Sequence, residues 1–278
     1  MKKWFAQNPL AVGQYNVSRL QADRQLIKVT DQLAEEVPIA LVYNGVSHAV
    51  MLASPQDLED FALGFSITES ILQDKGELYD VEVKQHEQGI ELHLNIATER
   101  FMQLKERRRS MAGRTGCGLC GTESLSQVFH LPASGSGNGK PQNTLDIDSV
   151  FRAHHDIQAK QVMQKTTGAT HACAWADDTG AIQFLREDVG RHNALDKLLG
   201  ALCKANVSGG FVLTTSRASY EMVQKIIMAG FDILAAISAP TGLAVRIAEA
   251  YGVTLLGFVR EQQFVAYTHV NRIIEYTE

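Results

Sequence analysis

The sequence contains no long apolar stretch. No window in its 278 residues approaches the roughly 20 apolar residues that a membrane-spanning helix requires. The two lysines at the start of the chain are followed by no apolar run, so we also expect no signal peptide. Positive charge is not in excess either: the formal net charge is −5, and general attraction to nucleic acid or to an anionic membrane is not expected.

Cysteine is scarce, with four residues in the chain: Cys117, Cys120, Cys173 and Cys203. Without a signal peptide these cysteines are expected to be reduced thiols, and the protein is expected in the cytoplasm. Two of them form a close pair, while the other two are isolated.

The close pair lies in the segment Gly113-Arg-Thr-Gly-Cys-Gly-Leu-Cys-Gly121, which we call the cysteine loop. Its glycines permit positive φ angles and leave both sulfurs without bulky neighbours. A nearby arginine such as Arg114 favours the thiolate, which is the reactive form. Three chemistries fit such a loop: half of a zinc site, a redox dithiol, or a cysteine that carries a transferable sulfur. The fourth possibility is an inert surface loop.

The sequence lacks motifs that two of these chemistries need. A zinc-dependent deaminase requires H-x-E and P-C-x-x-C, but no H-x-E occurs and Gly116, not proline, precedes Cys117. A thioredoxin-type dithiol opens a helix after a strand, whereas this pair follows a predicted helix at 98–111. Sulfur carriage therefore fits best, with no tightly held metal, and a zinc-dependent, cytidine-deaminase-like hydrolase is the enzyme alternative.

Two hairpins are predicted in the first half of the chain. Residues 38–43 and 47–53 flank Asn44-Gly45, a strong hairpin signal. A second hairpin is expected where apolar residues alternate on both sides of Gly89. Between them, Ser54 is expected to cap a helix that has Pro55 at its first position.

Residues 131–144 are rich in Gly, Ser, Pro and Asn, which predicts a flexible linker. We therefore divide the chain into a smaller α+β region at 1–130, this linker, and an α/β domain at 145–278.

Apolar runs alternate with helical patterns in the second half. The predicted strands are 170–176, 181–186, 211–215, 232–237, 253–259 and an edge strand at 264–268, and the predicted helices are 191–204, 219–229 and 242–251. This alternation is typical of right-handed βαβ units. It predicts an α/β fold with a mostly parallel sheet and helices on both sides.

Polar side chains follow three of the predicted strands, in Glu187–His192, Ser216–Ser219 and Ser238–Gly242. Parallel strands end at one edge of their sheet, next to helix N-termini that favour anions. The junctions predict a phosphate or pyrophosphate site, although the hydroxyls could instead serve only as helix caps. Neither G-x-G-x-x-G nor G-x-x-x-x-G-K-[ST] occurs, so neither a standard dinucleotide fold nor a P-loop is indicated.

The histidines and acids near these junctions have alternative interpretations. His171 lies inside a predicted strand and is interpreted as a core histidine rather than a ligand. His192 and Asp196 share a helix face at i,i+4, so an ion pair and a site role are both open for His192. Glu187 and Asp188 are either site residues or ordinary helix N-terminal acids.

Taken in order along the chain, these motifs resemble the FdhD family. The likeness begins near residue 35 and rests on Ala40-Leu-Val-Tyr-Asn-Gly45, Phe61-Ala-Leu-Gly-Phe65, Lys105-Glu-Arg-Arg-Arg109 with the cysteine loop, Glu187-Asp-Val-Gly-Arg-His192 with Ala194-Leu-Asp-Lys-Leu-Leu-Gly200, and Ser216-Arg-Ala-Ser-Tyr-Glu-Met-Val-Gln-Lys225.

The resemblance implies a sulfurtransferase that is needed for formate dehydrogenase activity. It implies a homodimer whose main domain is similar to the cytidine deaminase fold without its zinc. Sulfur would pass from a cysteine desulfurase, through a cysteine persulfide, to the molybdenum cofactor that bears two guanine dinucleotides. By this resemblance Cys117 matches the persulfide-bearing position and Cys120 matches the second cysteine. A non-catalytic chaperone of the apo-dehydrogenase is a further alternative.

The resemblance also places the family's cofactor-binding segment after the last long strand. In this chain that segment is Phe258, Val259, Arg260, Glu261, Gln262 and Gln263. Familiar relatives carry a glycine and a second basic residue there, so the segment departs from the family pattern. We expect Arg217, Ser219 and His192 to add contacts to the cofactor, and GDP to bind as a mimic of half of it.

Overall fold

The computed structural model describes residues 10–112, 131 and 143–274. The cysteine loop, with Cys117 and Cys120, lies outside the described residues, as does nearly all of the predicted linker. The division into regions at 1–130 and 145–278 therefore stays a prediction.

The described chain begins with a hairpin of β1 (Val12–Leu20) and β2 (Leu26–Ala34), which are antiparallel along their whole length. Most of its side chains are exposed on both faces. No strand was predicted in this part of the chain.

A four-stranded sheet follows, in the order β4-β3-β6-β5. Its strands are β3 (Val37–Tyr43), β4 (Val46–Ala53), β5 (Leu78–His86) and β6 (Gly89–Ile96), and its helices are α1 (Leu58–Thr68) and α2 (Thr98–Ala112). Both predicted hairpins and the predicted helix at 98–111 are confirmed.

The expected start of the first helix is wrong, because α1 begins at Leu58 and not at Pro55. Ser54 is fully buried and makes its hydrogen bonds elsewhere. Its N–H donates to Asp188 Oδ2 at 3.0 Å, and its Oγ accepts the N–H of Val189 at 3.2 Å. Ser54 therefore joins the end of β4 to a distant segment instead of capping a helix.

The remaining described elements come from the second half of the chain. They are β7 (Leu145–Asp146), α3 (Ile147–Lys160), α4 (Val162–Thr167), β8 (His171–Ala176), β9 (Ile182–Asp188), α5 (Arg191–Lys204), β10 (Phe211–Thr214), α6 (Tyr220–Met228), β11 (Ile233–Ala236), α7 (Gly242–Ala250), β12 (Thr254–Gly257), β13 (Val265–Ala266) and β14 (Ile273–Ile274). Each strand and helix predicted from 170 onward is present, with bounds that differ by at most a few residues. Helices α3 and α4 were not predicted.

Six of these strands form one sheet, in the order β13-β12-β11-β10-β8-β9. The central strands β10, β11 and β12 are parallel, but β8 is antiparallel to both β10 and β9, and β13 is antiparallel to β12. The fold is mixed α/β, and the expectation of a mostly parallel sheet is wrong at both edges. The tight turn at Asp177–Gly180 reverses the chain between β8 and β9, which a parallel pair would not permit.

Both faces of the six-stranded sheet are covered. Apolar side chains such as Val212, Leu234 and Leu255 pack with those of α5, α6 and α7. Those of the other face, such as Leu213 and Ala235, pack with α3. Short strands without alternation, as in β10 to β12, are expected when both faces are buried.

Helices α1 and α5 cross in backbone contact and so join the four-stranded sheet to the six-stranded one. A Cβ added at Gly64 would lie 1.8 Å from the carbonyl oxygen of Asp196, and one at Gly200 would lie 1.9 Å from that of Asp60. No side chain fits at either glycine, so this close crossing depends on both of them.

Candidate functional site at the strand ends

The structure brings the three predicted junctions to one edge of the six-stranded sheet. At this edge Thr214 of β10 lies opposite Cys173 of β8 and Ala236 of β11. Since β8 runs the other way, its first residue, His171, lies at the same edge, opposite Asp188 at the end of β9. The starts of α5, α6 and α7 therefore meet beside the start of β8.

Asp188 fixes the start of α5. Its Oδ1 accepts the N–H of Gly190 at 2.8 Å and an Asn193 side-chain N–H at 3.2 Å. Its Oδ2 lies 2.6 Å from Lys197 Nζ, which also donates to the Ser54 carbonyl at 2.8 Å. The side chains of Asp188 and Lys197 are completely buried, so this ion pair holds α5 against the end of β4.

Glu187 fixes a different element, the corner between α3 and α4. Its Oε2 accepts the N–H of Met163 at 2.9 Å, and its Oε1 accepts the N–H of Gln164 at 2.8 Å and the hydroxyl of Thr170 at 3.2 Å. The residue is buried. Glu187 therefore stabilises the start of α4, not that of the helix that follows it in sequence.

A second buried ion pair lies between α5 and α6. Lys225 Nζ donates to Asp196, to Glu69 and to Thr68 Oγ1, each at 3.0 Å. Thr68 Oγ1 in turn lies 2.7 Å from Asp196 Oδ1. We refer to Glu187, Asp188, Asp196, Lys197 and Lys225 as the buried anchors.

The two buried lysines differ in the direction of their pKa shifts. Burial lowers the pKa of Lys197, although Asp188 opposes the shift. Burial would also lower the pKa of Lys225, but the carboxylates of Asp196 and Glu69 together outweigh it and raise that pKa. For Lys197 the charges of Asp188 and Asp57 do not offset the effect of burial on the pKa, whereas the two carboxylates bonded to Lys225 do.

His192 does not pair with Asp196, so of the two alternatives left open for it the i,i+4 ion pair is wrong. Asp196 is nearly inaccessible and bonded to Lys225, whereas His192 Nε2 lies 2.7 Å from Glu221 Oε2 on α6. The hydrogen bond from His192 lowers the pKa of Glu221. His192 therefore faces the junction between the starts of α5 and α6.

Besides His192 Nε2, whose close contact with Glu221 is given above, two buried polar atoms at this junction have no partner within the described part of the chain. They are Arg191 Nε at the start of α5 and Ser219 Oγ immediately before α6. Arg217, in the loop before Ser219, is exposed. We refer to Arg191, His192, Arg217, Ser219, Glu221 and Arg260 as the rim.

Arg260, in the segment after β12, lies at the end of the neighbouring strand β11. Its Nη1 donates to the carbonyls of Val259, at 2.8 Å, and Ile237, the residue after β11. Its backbone N–H donates to the Gln263 carbonyl at 2.8 Å and closes a tight turn. Phe258, with a φ of 51°, is exposed.

The other predicted contact residues of this segment have different environments. The side chain of Val259 is fully buried in the core. Glu261, Gln262 and Gln263 are exposed.

His171 is not a core histidine, because β8 starts at the edge of the sheet rather than within it. It is partly exposed and lines a cavity of about 630 Å³ between the strand ends and the α3–α4 corner. Burial, together with the nearby side chains of Arg191 and His192, lowers the pKa of His171. The imidazole is therefore neutral at pH 7.

The two described cysteines are poor nucleophiles. Burial raises the pKa of Cys173 to about 12 and also raises that of Cys203. Among the described residues no three His, Cys, Asp or Glu side chains form a group that could hold a metal ion. Since Cys117 and Cys120 lie outside those residues, this leaves the zinc alternative untested.

The fold and the rim define a mixed α/β protein with cationic side chains at the strand ends. The profile of the FdhD/NarQ family matches residues 34–274. The chain belongs to this family, as its motifs predicted. None of the helices in the described ranges is both long and apolar enough to cross a bilayer.

Named relatives agree with this assignment. A protein of Cupriavidus necator, named sulfur carrier protein FdhD, is 55% identical over 251 residues, which cover 90% of this chain and 86% of the relative. One of Variovorax paradoxus with the same name is 54% identical over 246 residues, or 87% of each chain.

A solved structure shares the fold. It is a crystal structure from Desulfotalea psychrophila, of a protein assigned as a formate dehydrogenase accessory protein. The TM-score is 0.74 at 21% sequence identity, and the match covers 96% of this chain and 100% of that chain.

Proposed function

We propose that this protein carries sulfur during the maturation of formate dehydrogenase. In this proposal the Cys117 thiolate attacks the terminal sulfur of a persulfide on a cysteine desulfurase. A new S–S bond forms on Cys117 as the donor's S–S bond breaks, and the donor cysteine leaves as a thiolate. The observation that carries the proposal is family membership, with relatives named sulfur carrier protein at up to 55% identity.

The chemistry of the cysteines supports Cys117 and Cys120 as the reactive pair. A buried thiol with a pKa near 12, such as that of Cys173, is protonated at neutral pH and cannot attack sulfur. Cys203 is shifted in the same direction. The glycine-rich cysteine loop, with Arg114 close in sequence, has the composition that favours a reactive thiolate. We assign the persulfide to Cys117 and an assisting role to Cys120.

The substrate that accepts the sulfur is, in this proposal, the molybdenum cofactor with two guanine dinucleotides. The rim supports this assignment because arginines bind pyrophosphate through charge-assisted hydrogen bonds. Arg217 is exposed, Ser219 Oγ has no partner among the described residues, and His192 faces the same junction. Arg260 and its neighbours at 258–263 would add contacts, and GDP would bind as a mimic of half the cofactor.

Further parts of the proposal follow from the family resemblance. They are a homodimer in the cytoplasm, contact with a cysteine desulfurase and with formate dehydrogenase, and a main domain similar to the cytidine deaminase fold without its zinc.

Formate dehydrogenase activity in cells that lack this protein tests the proposal. Wild type should restore the activity, Cys117→Ala should not, and Cys120→Ala should restore it at least in part. Cys203→Ala is the matched control and should behave as wild type, because its thiol is half-buried and protonated. Full activity with Cys117→Ala would instead favour a non-catalytic chaperone, and one zinc per chain that is lost in Cys117→Ala would favour the hydrolase.

A further inference from the structure

The end of α1 contacts both halves of the chain. Thr68 Oγ1 and Glu69 Oε1 each accept a hydrogen bond from Lys225 of α6, and both distances are 3.0 Å. The next residue, Ser70, accepts a hydrogen bond from Arg107 Nη1 through its carbonyl, at 3.1 Å. Helix α6 begins at the rim, and α2, which carries Arg107, is followed in sequence by the cysteine loop. We refer to Thr68, Glu69 and Ser70 as the α1 corner.

The carbonyl of Ser70 has a fixed direction. Ser70 has a φ of 56°, and its N–H donates to the Ile67 carbonyl at 3.0 Å. The N–H of Ile71 donates to the carbonyl of Ser66 at 2.8 Å, and Ser66 is fully buried. Because a trans peptide places its N–H and its C=O on opposite sides, the Ser70 carbonyl points away from Ser66. The α1 corner therefore gives Arg107 a rigid acceptor.

Arg107 is one of three residues that hold α2 along one face. Arg100 Nε donates to Glu77 Oε1 at 2.8 Å, and Leu104 is buried in the core. Arg100, Leu104 and Arg107 are spaced at i, i+4 and i+7, so they lie on the same face of the helix. Arg107 is the last residue of α2 whose side chain the structure describes. Of these three contacts, that of Arg107 is therefore the one nearest to the cysteine loop.

Distances along the chain relate the α1 corner to both parts of the proposed function. Helix α2 continues for five residues after Arg107, to Ala112, which adds about 7.5 Å. Cys117 comes five residues later, and five residues span at most about 18 Å. On the other side, Ser219 precedes Lys225 by six residues, or about 9 Å of helix. The α1 corner is therefore close enough to the rim for the direction of α2 to influence how readily Cys117 reaches it.

We propose that Arg107 is a positioning residue for the delivery of sulfur. By binding the Ser70 carbonyl, it holds the last turns of α2 beside the α1 corner, next to α6, and so raises the local concentration of Cys117 at the rim. The inference rests on the proposed function, in which a donor loads Cys117 and the acceptor lies at the strand ends. It adds no chemical step, because Arg107 does not touch the sulfur. Loading requires no contact with the rim and should not depend on Arg107.

Two measurements on the same variants separate delivery from loading. Mass spectrometry after incubation with a cysteine desulfurase and cysteine measures the persulfide on Cys117, and formate dehydrogenase activity in cells that lack the wild-type protein measures delivery. Arg107→Ala should carry as much persulfide as wild type but restore about three- to tenfold less activity at limiting expression. Arg107→Lys keeps a donor for the Ser70 carbonyl and should recover most of the activity.

Arg152→Ala is the matched control. Arg152 is an exposed arginine on α3 whose Nη1 also donates to a backbone carbonyl, that of Thr179. Its loss should change neither the persulfide nor the activity. In urea denaturation both alanine variants should have the unfolding free energy of wild type, because both side chains are exposed.

Full activity in Arg107→Ala, or no recovery in Arg107→Lys, would overturn the inference. So would a loss of persulfide that matches the loss of activity, or a loss of activity accompanied by a lower unfolding free energy than that of Arg152→Ala. Failure of the proposed function would look different: wild type would then carry no persulfide, or Cys117→Ala would restore full activity.

Discussion

The buried anchors and the rim both consist mainly of ionisable side chains, but these lie in two different environments. Asp188 accepts four hydrogen bonds, and its partner Lys197 is fully buried. Arg217, by contrast, is exposed, and Arg191 Nε has no partner among the described residues. A charged side chain whose hydrogen bonds are all made within the protein holds helices and strands in place. A charged side chain with donors that lack a partner can instead bind a ligand.

This contrast predicts that the buried anchors determine the stability of the fold and that the rim determines ligand binding. The anchors hold the start of α5 and the α3–α4 corner, and thereby place the rim and the cavity wall. Substitutions in the anchors should therefore change the free energy of unfolding, and those in the rim should change ligand affinity alone.

The largest effect is expected for Lys197→Met. The substitution leaves the Asp188 carboxylate buried and unpaired, which should lower the free energy of unfolding by about 3–5 kcal/mol. Lys204→Met is the matched control, since Lys204 is 40% exposed in its ion pairs with Asp60 and Glu59 and should cost about 1 kcal/mol or less. Urea denaturation measures both, and equal stability of the two variants would refute the anchoring role of Lys197.

A smaller loss, about 1–3 kcal/mol, is expected for Lys225→Met. Asp196 keeps its hydrogen bond from Thr68, and burial raises its pKa, so that it can take up a proton at lower cost. Glu69 is partly exposed and can turn to water. The folded pKa of Lys225 is raised, so its contribution is complete below the unfolded pKa of about 10.4 and is lost as pH rises through the folded pKa. The difference in unfolding free energy between wild type and variant should thus be constant from about pH 7 to pH 10 and shrink above that. A difference that grows above this range would contradict the assigned direction.

On the rim, Arg217→Ala should weaken GDP binding about ten- to a hundredfold, because one charge-assisted contact to phosphate is lost. The free energy of unfolding should not change, since the side chain is exposed. Calorimetric titration and urea denaturation of the same preparation check both statements. Unchanged affinity would place the phosphate elsewhere.

The smallest effect is expected for Glu221→Gln, which removes a negative charge from beside His192. GDP should bind about two- to fivefold more tightly at low salt, and the gain should diminish as the ionic strength rises. Weaker binding, or a gain that salt does not affect, would show that Glu221 does not act through its charge.

The sequence predicted the parts of the fold that leave a local pattern. Asn44-Gly45 predicted the hairpin of β3 and β4. The alternation of apolar runs with helices predicted that β10, β11 and β12 end at the same edge of one sheet. The hairpin of β1 and β2 was missed because both of its faces are largely exposed, which removes the alternation of apolar and polar residues.

Some features of the site had a local signal and others had none. Helix α3 has a local signal in the sequence. Asp146 caps its start by accepting the N–H of Asp148, and the buried Val150, Ala153 and Ile157 recur at helical spacing. The role of Lys197 has no local signal, since its partner Ser54 comes from a distant part of the chain. The role of Glu187 likewise depends on how the start of α4 lies against β9.

Mass spectrometry of the persulfide tests the central claim most directly, namely that Cys117 carries the sulfur while the strand ends hold the acceptor. After incubation with a cysteine desulfurase and cysteine, a single-sulfur adduct is expected on the Cys117 peptide of wild type and, to the same extent, of Arg217→Ala. Cys117→Ala should carry none. An adduct that persists at full level in Cys117→Ala, or that disappears in Arg217→Ala, would contradict the account.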